Sequence, residues 1–427
     1  MSGSLVAEDW TQFRGNHRDG KSTTRKINSN WRKLKPALLN RFSGAGQGYS
    51  SLCVVGNKIY TTGNSASSQF VACFDLDTGT REWSTDIVGV IPNHAESGAR
   101  STPTYSNGRL YVVGSNGRLV CLDVNQKGKI VWSLNCQRKF EGRLMSGWGY
   151  SESPLVDDGK VIFTPGGEDA MVVAVKENWS PGSQSQVSQP VVLWKTHVSK
   201  VGTGVNGMRD SLNAGAGYSS MIIAEIFKTK QYVQFVGGGV IGIDPESGSL
   251  LWSNSRCANK TANICMPVSV GNSIVYSSAP RGGLGMLRVS KQAGEFQVEP
   301  GTVYWSRRFN CHHGGMIAHE GHLFFGNGEN RGYPTCIELA TGTVKWGGTF
   351  RGPGRGSAAL VFVDGKLIFR YQNGVVALID ANSSEYRLLG HFRQQVDSGN
   401  KSWSHPVVVD GKLLLREQDE IMVYDLR

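Results

Sequence analysis

The sequence predicts an all-β fold, an eight-bladed β-propeller of four-stranded antiparallel blades closed into a ring by an N-terminal strand. Three observations carry this. Six tryptophans, Trp83, Trp132, Trp194, Trp252, Trp305 and Trp346, close copies of one short phrase. Eight hairpin starts recur along the 427 residues, at the roughly 40–70-residue intervals expected of propeller blades. An orphan apolar segment, Ala37-Leu38-Leu39-Asn40-Arg41-Phe42, precedes the first start, while the last repeat lacks a fourth strand.

Each repeat opens with a hairpin. Its turn falls near Asn57, Asn107, Asp158, Lys230, Asn272, Gly321, Asp364 or Asp410. Asn-Gly and Asp-Gly supply the positive φ that a tight turn requires. A second hairpin follows. Its clearest copies are Val71-Ala72-Cys73-Phe74-Asp75 with Thr78-Gly79 and Trp83, and Ile241-Gly242-Ile243-Asp244 with Ser247-Gly248 and Trp252. Cys336-Ile337-Glu338-Leu339 with Thr341-Gly342 and Trp346 is a third. Two hairpins make four short strands. A residue repeated in blade after blade packs the ring, so the six tryptophans are assigned to stability. The last repeat has three strands, and Ala37–Phe42 supplies the fourth, which removes the open sheet edge. No long 3.6-residue apolar period bounded by caps occurs, so no substantial helix is expected.

The phrase of Cys-Leu-Asp or Cys-Phe-Asp type, x-x-Thr-Gly and Trp resembles the repeats of the pyrroloquinoline-quinone-type (PQQ-like) eight-bladed propellers. These include quinoprotein alcohol dehydrogenases and the outer-membrane assembly factor BamB. The resemblance covers about residues 37–427, leaving 1–36 as a basic N-terminal arm. The opening Asp9-Trp10-Thr11-Gln12-Phe13-Arg14-Gly15 looks like the start of exported PQQ-like repeat proteins of unassigned function. The resemblance implies a location outside the cytoplasm, periplasmic or extracellular. No signal-peptide h-region stands in the chain as given. A PQQ-dependent dehydrogenase would imply a calcium site, a catalytic Asp and adjacent disulfide-bonded cysteines. The sequence has no Cys-Cys pair and no convincing Glu/Asn/Asp cluster in its loops. No cofactor is therefore expected, and PQQ with calcium is disfavoured.

Composition bounds the partners. The formal charge is +11, and part of it crowds the arm at Arg14, Arg18, Lys21, Arg25, Lys26, Arg32, Lys33, Lys35 and Arg41. The arm reads as a solvated basic segment. No basic face interleaved with aromatics appears, so nucleic acid is not expected. No run of 18 apolar residues occurs, so no transmembrane helix is expected. Cys73, Cys121 and Cys336 occupy the small-residue slot of the third strand. Cys257 and Cys265 share one loop and could pair in an oxidising compartment. No Cys-x-x-Cys occurs, and the His312-His313 pair lies an inner strand away from His319 and His322, roughly 20 Å at 3.3 Å per residue. No metal site is expected.

The loops joining one blade's outer strand to the next blade's inner strand are long, and they gather at one rim around the channel. Binding residues concentrate on loops held by a rigid scaffold. These loops carry Arg100, Trp148, Tyr150, Glu152, Tyr218, His312, His313, Arg351, Arg355 and Trp403, the rim candidates. Arg209, Asp210 and Asn213 lie on one of them. Alignment of the repeats puts Tyr49, Arg100, Ser151, Ile264, His313, Ser357 and Trp403 at one equivalent position. A packing slot would look alike in every copy. This one varies, as a pocket lining does. Three functions fit: a non-catalytic binding or assembly scaffold, a carbohydrate-binding or carbohydrate-processing propeller, and a PQQ-dependent dehydrogenase. The first is the leading expectation: a monomer holding a protein partner or an acidic glycan at the channel mouth, with no catalytic residue assigned.

Overall fold

The computed structural model describes residues 9–94, 96–177, 189–198, 202–203, 209–210, 214–301 and 303–427. Eight sheets of four strands follow one another around a ring. The first blade comprises Cys53–Val55, Lys58–Asn64, Gln69–Asp75 and Arg81–Val88, paired antiparallel in that order from the channel outward. The same order holds in the blades beginning at Thr104, Leu155, Ile222, Val268, Met316, Ala358 and Val407. The fourth blade's first turn lies at Phe227 and Lys228, both at positive φ, just before Lys230. In the fifth blade the third strand, Gly283–Gln292, runs on into an extra hairpin with Glu295–Val298 before Tyr304–Ser306 completes the sheet. The longest helix among the described residues is Cys136–Phe140.

The last blade is completed from the N-terminal side. Ala37–Ser43 pairs antiparallel with Glu420–Asp425, and the register runs from Ala37 opposite Asp425 to Ser43 opposite Glu420. The ring is therefore closed by main-chain hydrogen bonds, and no blade is left incomplete.

The repeated turn has a two-part cause. Asp75 Oδ1 accepts from the amides of Asp77 and Thr78 and from the Thr78 hydroxyl, at 3.1, 2.9 and 3.1 Å. Those donors, the Thr78 amide foremost, and Lys58 pull the carboxyl down to about 2. Gly79 then takes φ +73°. Asp244, Ser247 and Gly248 repeat the arrangement. The glycine also makes room. A Cβ on Gly128 would lie 2.3 Å from the Trp83 ring of the preceding blade, and one on Gly248 would lie 2.4 Å from Trp194. The outer-strand aromatics thus stack on the turn glycines of the following blade. Trp132, Trp194, Trp252 and Trp346 are buried, while Trp83 and Trp305 are half-buried. Burial of a ring of this size is worth about 3–5 kcal/mol against alanine.

The arm departs from the expected solvated segment. Trp10 pairs with Val54 of the first blade, and the Tyr105 amide of the second blade donates to the Thr11 carbonyl at 2.8 Å. Arg18 donates to the carbonyls of Ser153, Pro154 and Met221, on the third and fourth blades. Lys21–Ser22 adds a parallel strand to Phe362–Val363 of the seventh. Trp31 is buried against Phe392, centroids 5.5 Å apart. The arm crosses the channel and stitches distant blades together, because its guanidinium groups find inner-strand carbonyls and its apolar groups join the core there. Arg14 and Arg18 are only 3% and 4% exposed. Arg25, Lys26, Arg32, Lys33, Lys35 and Arg41 are exposed, so the solvated reading holds for that later part alone. Residues 1–8 of the arm lie outside the described residues. No described helix is long and apolar enough to cross a membrane.

Candidate functional site

The long loops converge on a cavity of about 310 Å³ at one mouth of the channel. Tyr49, Arg100, Ser151, Ile264, His313 and Trp403 all line it, together with Trp148, Tyr218 and His312. These residues precede inner strands of different blades, and ring symmetry brings them together. Ser357, the seventh residue of the aligned slot, is buried, with its hydroxyl 3.5 Å from His312 Nδ1.

One wall is aromatic. Trp403 sits 5.3 Å from Tyr49, 5.6 Å from His312 and 5.1 Å from His313 by ring centroids. Its Nε1 donates to Gln372 Oε1 at 2.8 Å, which fixes the ring. Lys401 Nζ stands 4.6 Å from the Trp403 centroid and pairs with Glu96. The opposite side is held by Arg100, whose guanidinium donates to the Trp148 carbonyl at 2.6 Å and to the Glu96 carbonyl. Burial pulls Arg100 down to about 10, so it stays charged. Tyr218 Oη lies 2.8 Å from Ser146 Oγ and accepts from the Trp148 amide at 3.3 Å, tying the Trp148 loop to the fourth blade.

Three histidines cluster beneath. His312 and His313 face each other through Nδ1 at 3.2 Å, and His405 Nε2 donates to the His313 carbonyl at 2.8 Å. Burial, with Lys401 nearby, pushes His312 down to about 4. Burial foremost also pushes His405 down to about 3 and His313 well below its ordinary value. All three are neutral imidazoles at pH 7.

Two rim candidates do not reach the cavity because they pack between blades. Tyr150 is 3% exposed, and its hydroxyl donates to the Pro165 carbonyl at 2.8 Å. Glu152 is equally buried. Its carboxyl oxygens accept from the Thr164 amide and hydroxyl and from Gln234 Nε2, at 2.7, 3.0 and 2.9 Å. Tyr150 and Glu152 flank Ser151 at the strand entrance, where alternate side chains turn from the channel into the inter-blade core. Arg351 and Arg355 are exposed on the seventh blade's rim loop but do not line the cavity. The side chains of Arg209 and Asp210, and all of Asn213, lie outside the described residues.

The expected Cys257–Cys265 proximity is replaced by another. Cys265 Sγ lies 3.4 Å from Cys311 Sγ, across the interface of the fifth and sixth blades. Cys257 is buried beside Tyr276 and Trp305 instead.

Among the cavity residues that sequence reasoning missed are Phe13 and Arg14. They come from the arm. The available signal was an aromatic–arginine–glycine step, Phe13-Arg14-Gly15, inside an otherwise polar segment. A second, larger groove of about 810 Å³ opens on the other face between the arm and blades four to six, and Arg14 lines that too.

Comparison with known proteins agrees with the repeat reading. The family model described as outer membrane protein assembly factor BamB matches residues 67–347. Among solved structures, the quinohemoprotein alcohol dehydrogenase of Comamonas testosteroni superposes with a TM-score of 0.65 at 14% identity, covering 98% of this chain and 80% of that one. BamB from Moraxella catarrhalis superposes with a TM-score of 0.57 at 12% identity, covering 92% and 98%. A europium-containing methanol dehydrogenase gives 0.53 at 13%, covering 97% and 89%. At these identities the likeness is one of fold. No curated protein matches the chain.

Proposed function

The chain belongs to the PQQ-type repeat family described by the outer membrane protein assembly factor BamB, and from that premise we propose a non-catalytic binding propeller working outside the cytoplasm through the long-loop mouth of its channel. The observation that supports this is the convergence of one aligned, variable slot on one cavity. Six of its seven positions line the same 310 Å³ space, whereas of the repeated tryptophans Trp83 and Trp194 pack on turn glycines of the next blade. A volume near the lower end of the usual range for ligand pockets, about 300–1,000 Å³, suits a small molecule or one inserted side chain.

The polar groups argue for binding over catalysis. Ser151 Oγ donates to the Gly149 carbonyl, and the hydroxyls of Ser153 and Ser220 accept from backbone amides. The Ser357 hydroxyl lies 3.5 Å from His312 Nδ1 and is shared with Gln372. That is too long for a base-activated nucleophile. The donor set also fails to fit a calcium-held quinone. Glu96, one of two carboxylates lining the cavity, is committed to Lys401. No group of three His, Cys, Asp or Glu among the described residues is placed to hold a metal ion.

A carbohydrate-binding role is the second reading. It is favoured by Trp148, which lines the cavity beside the Arg100 guanidinium and offers an aromatic face.

The test is positional. A photo-crosslinking residue at Trp148 should capture ligand or partner in the cell envelope, and the same residue at Phe227, on the opposite groove, should not. Equal capture at both, or capture at Phe227 alone, removes the mouth as the working surface.

A further inference from the structure

The arm adds a buried cation beneath the mouth. Arg14 is 3% exposed and lines both the mouth cavity and the opposite groove, so it stands in the partition between them. Its Nη2 donates to the carbonyls of Met316 and Asp19 at 2.7 and 3.2 Å. Both acceptors are neutral. Its Nη1 has no hydrogen-bond partner, and it lies over Gly315, where a Cβ would come within 1.8 Å of it. A bare glycine is thus required for the guanidinium to lie there. Asp19 acts on it as a counter-charge from the side of the opposite groove, but a buried guanidinium nitrogen left without a hydrogen bond still carries its desolvation cost.

The charge balance of the walls points the same way. Arg14, Arg100 and Lys401 are cationic, and Glu96 and Glu329 are anionic. Lys401 and Glu96 neutralise each other. Arg100 is held by two backbone carbonyls.

His405 adds a directional requirement. Its Nε2 meets the His313 carbonyl, so that nitrogen carries the hydrogen. The ring is neutral, so Nδ1 is a bare lone pair, and it is buried with no partner. It is an acceptor that no described protein group satisfies.

We propose that the mouth cavity binds a small hydroxylated cyclic acid, of the uronic acid class, with its carboxylate toward Arg14 and a hydroxyl donating to His405 Nδ1. Tyr49, Trp148 and Trp403 face the C–H surface of the ring. The cavity volume admits one such ring and leaves any attached chain outside. This rests on the mouth being the binding site, and it names the ligand chemistry of that site.

The test is tryptophan fluorescence titration of the full chain with D-glucuronate and with D-glucose. Glucuronate should saturate the signal and bind at least about tenfold more tightly than glucose, a difference of about 1.4 kcal/mol. Arg14→Gln should abolish that preference while near-UV circular dichroism stays unchanged. Arg14→Lys keeps the charge should the glutamine variant fail to fold, and it should retain the preference in part. Equal binding of the two sugars, or a preference that survives Arg14→Gln, overturns the acid specificity but leaves the mouth standing. Binding that survives Trp148→Ala with Trp403→Ala overturns the mouth itself. Binding of neither sugar overturns the uronate class.

Discussion

Phe42 packs on Gly79, and a Cβ at that glycine would lie 2.5 Å from Phe42 Cδ1. The contact joins the closing strand of the eighth blade to the second-hairpin turn of the first. It does at the ring seam what Trp83 on Gly128 and Trp194 on Gly248 do elsewhere.

Gly79→Ala should therefore loosen the seam. The substitution meets both the Phe42 ring and a backbone at φ +73°. A loss of about 2 kcal/mol is expected from overpacking, read as a lower midpoint in urea. Gly159→Ala is a control: its Cβ meets nothing within 4 Å and its φ is +71°, so it carries the backbone cost alone. Equal losses in the two would show that Phe42 contributes nothing at the seam.

Removing residues 1–42 should be far more damaging. It strips the partner from Glu420–Asp425 and the plug from the channel, leaving an exposed edge strand. The expected outcome is aggregation on size-exclusion chromatography. A truncated chain that elutes as a monomer and melts with the full protein would refute closure by this strand.

Glu152 should make the fold lose stability as pH rises from about 4.5 to about 8. Burial raises its carboxyl to about 8, against the lowering by Thr164 and Arg18. The folded state then holds a proton that the unfolded chain releases above about 4.5. Between those values stability falls as pH rises, by up to about 1.4 kcal/mol per pH unit. Glu152→Gln removes the titration, so its denaturation midpoint should be flatter than wild type between pH 5 and pH 8 on the same scale. Parallel profiles would mean that Glu152 is ionised throughout.

Cys265 and Cys311 should be the pair that oxidises. Their sulfurs are already in contact at 3.4 Å. A disulfide donor would take both thiol hydrogens and leave a bond between the fifth and sixth blades. Thiol titration in denaturant after such treatment should find six of the eight cysteines, with Cys265 and Cys311 linked in the peptide map. A link involving Cys257 instead would contradict the placement of these loops.

PQQ with calcium should not bind as a cofactor. Titration should leave the melting temperature unchanged and produce no dye-linked alcohol oxidation. Saturable binding with oxidation would place the protein among the dehydrogenases it resembles in fold.

Repeat number, blade composition and the closing strand were legible in the sequence because each depends on local periodicity and turn chemistry. Asp75-x-x-Thr78-Gly79 dictates its own geometry wherever it occurs. The shared mouth was legible in part, through alignment of Tyr49, Arg100, Ser151, Ile264, His313 and Trp403 on equivalent strands. Periodicity could not show which of two neighbours faces the channel: Ser151 does, while Tyr150 and Glu152 turn into the inter-blade core. Nor could it show the path of the arm. Residues 9–22 have no repeat to be aligned with, and the places of Phe13 and Arg14 are set by His405, the Met316 carbonyl and the bare Gly315, hundreds of residues away. Local pattern determines the blades. The floor of the cavity, and with it the charge a ligand would meet, comes from long-range packing that only the closed ring creates.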